Sequence, residues 1–159
     1  MSGRDQTDEP GQTGDTGELL EILVYPARRA PAQQMQQVDA LQDKGLDGDH
    51  PRGGKRQVTL LSIEAWQETM QEVGGDLPPS ARRANLVVRG IDLEASMGRR
   101  IRIGSVELQI EGETTPCDLM VLQHAGLRQA LEPKMRGGVF GCVIAGGQLT
   151  PGLSVAVLD

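Results

Sequence analysis

Apolar residues along this chain recur mostly in short alternating runs, and only one stretch carries helical spacing. "ELLEILVYP", residues 18–26, reads as a first strand limited by Pro26, which cannot donate to a ladder. "MQQVDALQ" holds a further short strand, a Gly/Asp loop follows, and another strand spans Val58 to Leu61. The helical stretch comes next: Ile63, Trp66, Met70 and Val73 share one face, Ser62 is placed to cap it, and Gly74–Gly75 stop it. "DLPPSARRA" is a polar connector.

From Asn85 onward the period is two. "NLVVRGIDL" is a strand, and "RIRIGSVELQI" predicts a hairpin, with Ile101 and Ile103 on one arm and Val106, Leu108 and Ile110 on the other. Gly104–Ser105 suits a two-residue II′ turn, where the first position needs positive φ. A short helix is expected from His124 to Leu131, closed by Pro133, and two or three Gly-punctuated strands complete the chain. Many short strands at close spacing predict a mainly β domain, a β-barrel or compact sandwich with two helices. There is no internal repeat.

Composition sharpens this picture in two ways. With one Trp, one Tyr and one Phe in 159 residues, the core has to be aliphatic. A net charge of −6 argues against general nucleic-acid binding, which needs a phosphate-neutralising excess of Lys and Arg. Half of that charge lies in residues 1–17, a Gly- and Asp-rich segment whose one apolar side chain is Met1; it is expected to be a disordered acidic tail ahead of a domain spanning 18–159. No signal-peptide run or bilayer-length apolar stretch occurs, so a cytoplasmic location, off the membrane, is expected.

Chemistry concentrates at a few positions. Cys117, in "EGETTPCDLM", sits at a strand exit among loop formers, either as a small filler or as a nucleophile and soft-metal ligand. Asp118 alone would disfavour a thiolate, so a reactive thiol needs cationic help. Six of the sixteen basic residues fall between Arg82 and Arg102, and Arg82, Arg83 and Arg89, with Asn85, could line an anion pocket beside it. In "KGLDGDHPRGG", Asp47, Asp49 and His50 match neither an EF-hand nor a zincin, yet His50 beside a carboxylate could orient a substrate or move a proton. Glycines after Arg136 could admit a ligand to the main chain. Cys142, flanked by Phe140, Val143 and Ile144, reads as core filler.

Four blocks in order, "KGLDGDH" with "RQVTLLS", "RRANLVVRGIDLEASMGRRIRIGSVELQI", "TTPCDLM" and "RGGVFGCVIAGGQLTPG", resemble the MOSC domain, named after the C-terminal domain of molybdenum cofactor sulfurase. The resemblance implies a MOSC-type β-barrel-like domain of short strands with two or three short helices. It aligns Cys117 with the family's signature cysteine, proposed to carry sulfur as a persulfide or to ligate molybdenum. It further implies that Arg82, Arg83, Asn85, Arg89, Asp47, His50 and Arg136 bind a molybdenum cofactor or another anion. The activity so implied is sulfur transfer or molybdenum-dependent reduction of N-hydroxylated compounds; the alternative is a non-catalytic module recognising an anion or a protein. Where many members carry a second cysteine shortly before the signature one, this chain has "EGETT". No stretch of these 159 residues reads as the extra N-terminal β-barrel domain of the cofactor-reducing enzymes or as a sulfurase domain that binds pyridoxal phosphate, and neither is expected here. A partner, either a sulfur donor such as a cysteine desulfurase or an electron-donor protein, is therefore expected.

Overall fold

A computed structural model describes residues 14–51, 54–117, 120 and 123–159. Eleven strands are present among them: β1 (Thr16–Val24), β2 (Gln33–Met35), β3 (Val38–Leu41), β4 (Gly45–Leu46), β5 (Val58–Ser62), β6 (Leu86–Arg89), β7 (Arg100–Ile103), β8 (Val106–Glu113), β9 (Val139–Ala145), β10 (Gly147–Leu149) and β11 (Ser154–Leu158). The described helices are α1 (Ile63–Val73) and α2 (Leu127–Leu131), supplemented by 3-10 turns at Pro79–Arg82, Glu94–Ser96 and Pro133–Met135.

Seven strands close a barrel in the order β11-β7-β8-β9-β5-β6-β1, and β1 returns to β11 through Thr16↔Ala156, Gly17↔Val155 and Glu18↔Ser154. Closure removes the unpaired edges that an open sheet would expose. β1 manages three partners because its register shifts between Leu19 and Glu21, bending it from β11 and β6 toward β2. β3, β4 and β10 form a separate small sheet. The fold is thus mainly β and barrel-like, as the alternation predicts. β1 starts at Thr16, two residues inside the segment expected to be disordered, because its backbone is claimed by β11; residues 1–13 of that expected tail lie outside the described residues.

Alternation places one side of every wall strand inside. Leu19, Ile22, Val58, Leu60, Leu86, Val88, Ile101, Ile103, Leu108, Ile110, Val139 and Val143 fill the barrel, an aliphatic interior as the composition requires. In the β7–β8 hairpin Gly104 alone of the turn pair has positive φ, 59°, as the II′ geometry demands.

The β5–α1–β6 unit supplies the one parallel pairing between the described strands, Leu60↔Leu86 to Ser62↔Val88. Ser62 Oγ accepts from the Ala65 amide at 3.2 Å, and Gly74 closes the helix in the left-handed conformation, so both ends stand where the sequence puts them. Outside the barrel a second core joins Leu61 of β5 to Trp66, Met70, Ala84, Met120, Leu127 and Leu131. Trp66 settles its indole N–H on the Leu77 carbonyl at 3.0 Å. This outer layer carries the 77–84 connector and the loop after β8, and so positions Cys117.

Candidate functional site

β8 runs to Glu113, where its ladder with β9 ends at Glu113↔Val139 and the Thr114 amide donates to Gly138 O at 2.8 Å. The chain then leaves the wall, and within four residues it passes from buried Thr114 to exposed Cys117. Pro116 has no N–H to commit to a ladder. The thiol therefore stands in solvent at the strand exit.

Beneath this loop lies Arg82, only 7% exposed. It ends the 3-10 turn Pro79–Arg82, which Pro79 opens and Arg83 closes in a left-handed conformation with φ 61°. Its Nη2 donates to the Thr114 carbonyl at 2.6 Å, while its buried Nε has no partner among the described residues. Among the described residues no carboxylate pairs with it. Burial depresses the proton affinity of this guanidinium, the nearby Arg56 depresses it further, and negative charge on Cys117 and Glu113 works in the opposite direction. Cys117 and Arg82 thus share one electrostatic neighbourhood.

The other predicted residues gather elsewhere. Asn85 is fully buried: its Oδ1 accepts from the Thr59 amide at 3.0 Å and hydroxyl at 3.2 Å, and its Nδ2 donates to Leu23 O at 3.1 Å. It is a strut between β1, β5 and β6. Arg83 stacks 4.3 Å above the Tyr25 ring and donates to Ala30 O and Arg28 O. Tyr25 also receives the GLDGDH loop: Asp49 Oδ1 accepts its amide, and its carbonyl accepts from the His50 amide and from His50 Nδ1, each at 2.9 Å. Asp47 is exposed, on a separate cleft of about 400 Å³ shared with Asp43, Lys44 and Gln57.

Arg89 is exposed at the end of β6 and pairs with Glu18. Arg136, 5% exposed, donates to Ala130 O at 2.9 Å and holds Glu68 and Glu72 of α1 at 3.3 and 2.8 Å. The Glu72 carboxyl is accordingly held below its ordinary range, mainly by the Arg136 hydrogen bond. Arg136 also borders the largest of the described clefts, about 700 Å³ between α1, the Ile91–Glu94 segment and Lys134. Among the described residues, Cys117 lines neither of these clefts.

One expectation fails outright. Cys142 is not core filler: β9 directs Val139, Gly141 and Val143 inward and Phe140 and Cys142 outward, where the thiol is half-buried against Lys55 O at 3.5 Å and Glu111 at 3.8 Å. Its apolar neighbours in sequence are on alternate sides of the wall. Burial and the Glu111 charge both raise its pKa.

Comparison with known proteins decides the family. The MOSC domain model matches residues 47–156. The chain belongs to the MOSC domain family. Solved structures share the fold: the YUAD protein from Bacillus subtilis has a TM-score of 0.73 at 23% identity, covering 89% of this chain and 95% of that one. YiiM from Escherichia coli gives 0.69 at 18% identity over 89% and 70% of the two chains, and YiiM from Geobacillus stearothermophilus gives 0.71 at 14% over 90% and 75%. No curated protein matches significantly.

Within this MOSC domain three residues around Arg82 were missed in sequence. Arg56, at the entry to β5, is exposed 5.9 Å from the Phe140 ring and acts on Arg82. Thr114 is 4% exposed, with no partner for its Oγ1 among the described residues. Gly137 packs so closely that a Cβ there would lie 2.7 Å from Thr114 O and 3.1 Å from Arg82 Nη2. The basic pair in "KRQVTLL" was the one local signal; Thr114 and Gly137 gain meaning only from the fold.

Proposed function

We propose that this MOSC domain is a sulfur carrier whose working group is Cys117. The observation that carries the reading is an exposed thiol three residues beyond Thr114, whose carbonyl is held by the buried Arg82 guanidinium, which has no carboxylate partner among the described residues. A persulfide is an anion at neutral pH, and Arg82 with Arg56 gives it a cationic setting. Loading is a thiol exchange: the Cys117 thiolate bonds to the outer sulfur of a donor persulfide, the donor S–S bond breaks, and the donor thiolate leaves with the electron pair. A cysteine desulfurase is a donor of the right chemistry, with an electron-donor protein taking its place if the metal form operates.

The same donor set fits the metal end of a molybdenum cofactor, since an accessible thiolate is a good soft ligand and Arg82 Nε remains to meet an anionic group. Cys117 would hold the metal and Arg82 would face an anionic substituent; the bound cofactor would supply oxygen-atom transfer for reducing N-hydroxylated compounds. A second reading, a non-catalytic anion- or protein-binding module, is favoured by one fact. Arg83, Asn85, Arg89 and Arg136 are engaged by the protein itself.

Anaerobic purification separates these readings. Cyanide-labile sulfur on the wild type, absent from Cys117→Ser, supports the carrier, and molybdenum that disappears with the same change supports the metal form. Sulfur or molybdenum retained by Cys117→Ser overturns the assignment, and neither on the wild type after exposure to a persulfide donor leaves the binding module.

A further inference from the structure

Lys134 and Met135 both hold φ 54°, and among the described non-glycine residues they are the one adjacent pair with positive φ. The Arg136 amide donates to Pro133 O at 3.0 Å across them, which is the geometry of a type I′ turn. Such turns favour Asn-Gly, because both central residues must enter the left-handed region. A lysine and a methionine there carry a steric cost that L-residues seldom meet twice in succession. Backbone held in this way persists only where its surroundings over-determine it, and it gathers at clamps and switches.

Two fasteners hold the turn. On one side Met135 packs against the aliphatic core of the barrel. On the other, buried Arg136 reaches Glu68 and Glu72 of α1 at 3.3 and 2.8 Å and donates to Ala130 O at 2.9 Å. Both carboxylates are half exposed, so the ionic fastener can be reached from solvent. Lys134, Met135 and Arg136 also form one wall of the cleft of about 700 Å³ beside α1. Beyond the turn, two backbone bonds lead to the thiol loop. The Gly138 amide donates to Met135 O at 3.0 Å, and Gly138 O accepts the Thr114 amide at 2.8 Å.

We infer that Pro133–Arg136 is a spring-loaded strap, kept in its strained form by the α1 clamp and released when that clamp is broken. Release lets Lys134 and Met135 leave the left-handed region, moves the cleft wall, and frees Gly138 from Met135 O and Thr114 from Gly138 O. The strap thereby links α1 and the cleft to the loop that carries Cys117. This link is independent of whether Cys117 carries sulfur, ligates a metal or does neither.

The test is amide hydrogen exchange on the full chain, read at Gly138 and Thr114 and compared with Leu23. The Leu23 amide donates to Asn85 O at 2.7 Å inside the barrel wall and reports opening of the whole fold. Glu68→Gln combined with Glu72→Gln breaks the ionic fastener from its exposed side. In that variant the Gly138 and Thr114 rates, each divided by the Leu23 rate, are expected to rise at least tenfold. Lys134→Gly relieves strain without removing a packed side chain, because Lys134 is exposed. Alone it should raise the urea midpoint; added to the glutamine pair it should return both ratios most of the way to wild type. A lowered or unchanged midpoint in Lys134→Gly overturns the stored strain. Ratios that stay put in the glutamine pair overturn the strap, and a rise at Gly138 without one at Thr114 overturns its link to the Cys117 loop.

Discussion

Arg82 donates from Nη2 to the carbonyl of Thr114 across 2.6 Å, joining the turn before β6 to the loop after β8 although 32 positions separate them. This bond sets the height of the Cys117 loop above the barrel wall. It also uses the guanidinium's charge on a neutral acceptor, leaving the cation to act on whatever occupies the thiol.

The bond is open to attack from Gly137. In Gly137→Ala the new methyl would press on Thr114 O at 2.7 Å and on Nη2 at 3.1 Å, so loop and guanidinium have to part. Overpacking of this kind costs about 1–3 kcal/mol. Urea unfolding should show the loss, with Cys117 sulfur loading reduced in the same variant. An unchanged midpoint would mean that the contact yields freely.

The two thiols should separate in time. Cys117 is exposed, whereas burial and Glu111 hold back ionisation of Cys142. A disulfide reagent at neutral pH should give one fast and one slow phase, and Cys117→Ser should abolish the fast one. Cys117→Ser should leave stability within about 0.5 kcal/mol, as expected at an exposed position. A fast phase surviving that change would reverse the order.

Asn85 is expected to matter for stability rather than chemistry. Asn85→Ala strips partners from the Thr59 amide and the Leu23 carbonyl inside the wall, a loss of about 2–4 kcal/mol. Chemical denaturation should record it with an unchanged slope. A near-neutral result would show that the β1–β5–β6 junction does not depend on this side chain.

Acid should loosen the α1 clamp. Glu72 is held below its ordinary range by Arg136, so its contribution is whole above the unfolded carboxylate value and is lost as pH falls through the lowered folded one. Arg136→Gln removes that contribution and should flatten the acid limb of a plot of urea midpoint against pH. Parallel limbs in the two proteins would mean that the ion pair is silent.

Much of the barrel was legible because its signals are local. Alternation marks the β7–β8 hairpin, Ser62 and Gly74 bracket α1, and Pro26 stands just beyond β1. What escaped depends on partners far away in sequence. Asn85 reads as a ligand until Thr59 and Leu23 arrive around it, and Arg89 reads as a cation until Glu18, 71 positions earlier, pairs with it. Arg83 and His50 do meet, but around Tyr25. Cys142 was misjudged because neighbours in a strand face opposite ways. Cys117 and Arg82 were both legible as candidates, the first from its polar setting and the second from its basic cluster.

The seam between β1 and β11 constrains the order of events during synthesis. Strand β1 emerges from the ribosome first among the wall strands but cannot complete its pairing until Ser154–Leu158 is available, so the cylinder seals only after translation of its final strand. The same adjacency makes a circular permutant feasible. A short linker across the seam and new ends opened in the Gly104–Ser105 turn should preserve the barrel while changing which strand waits longest.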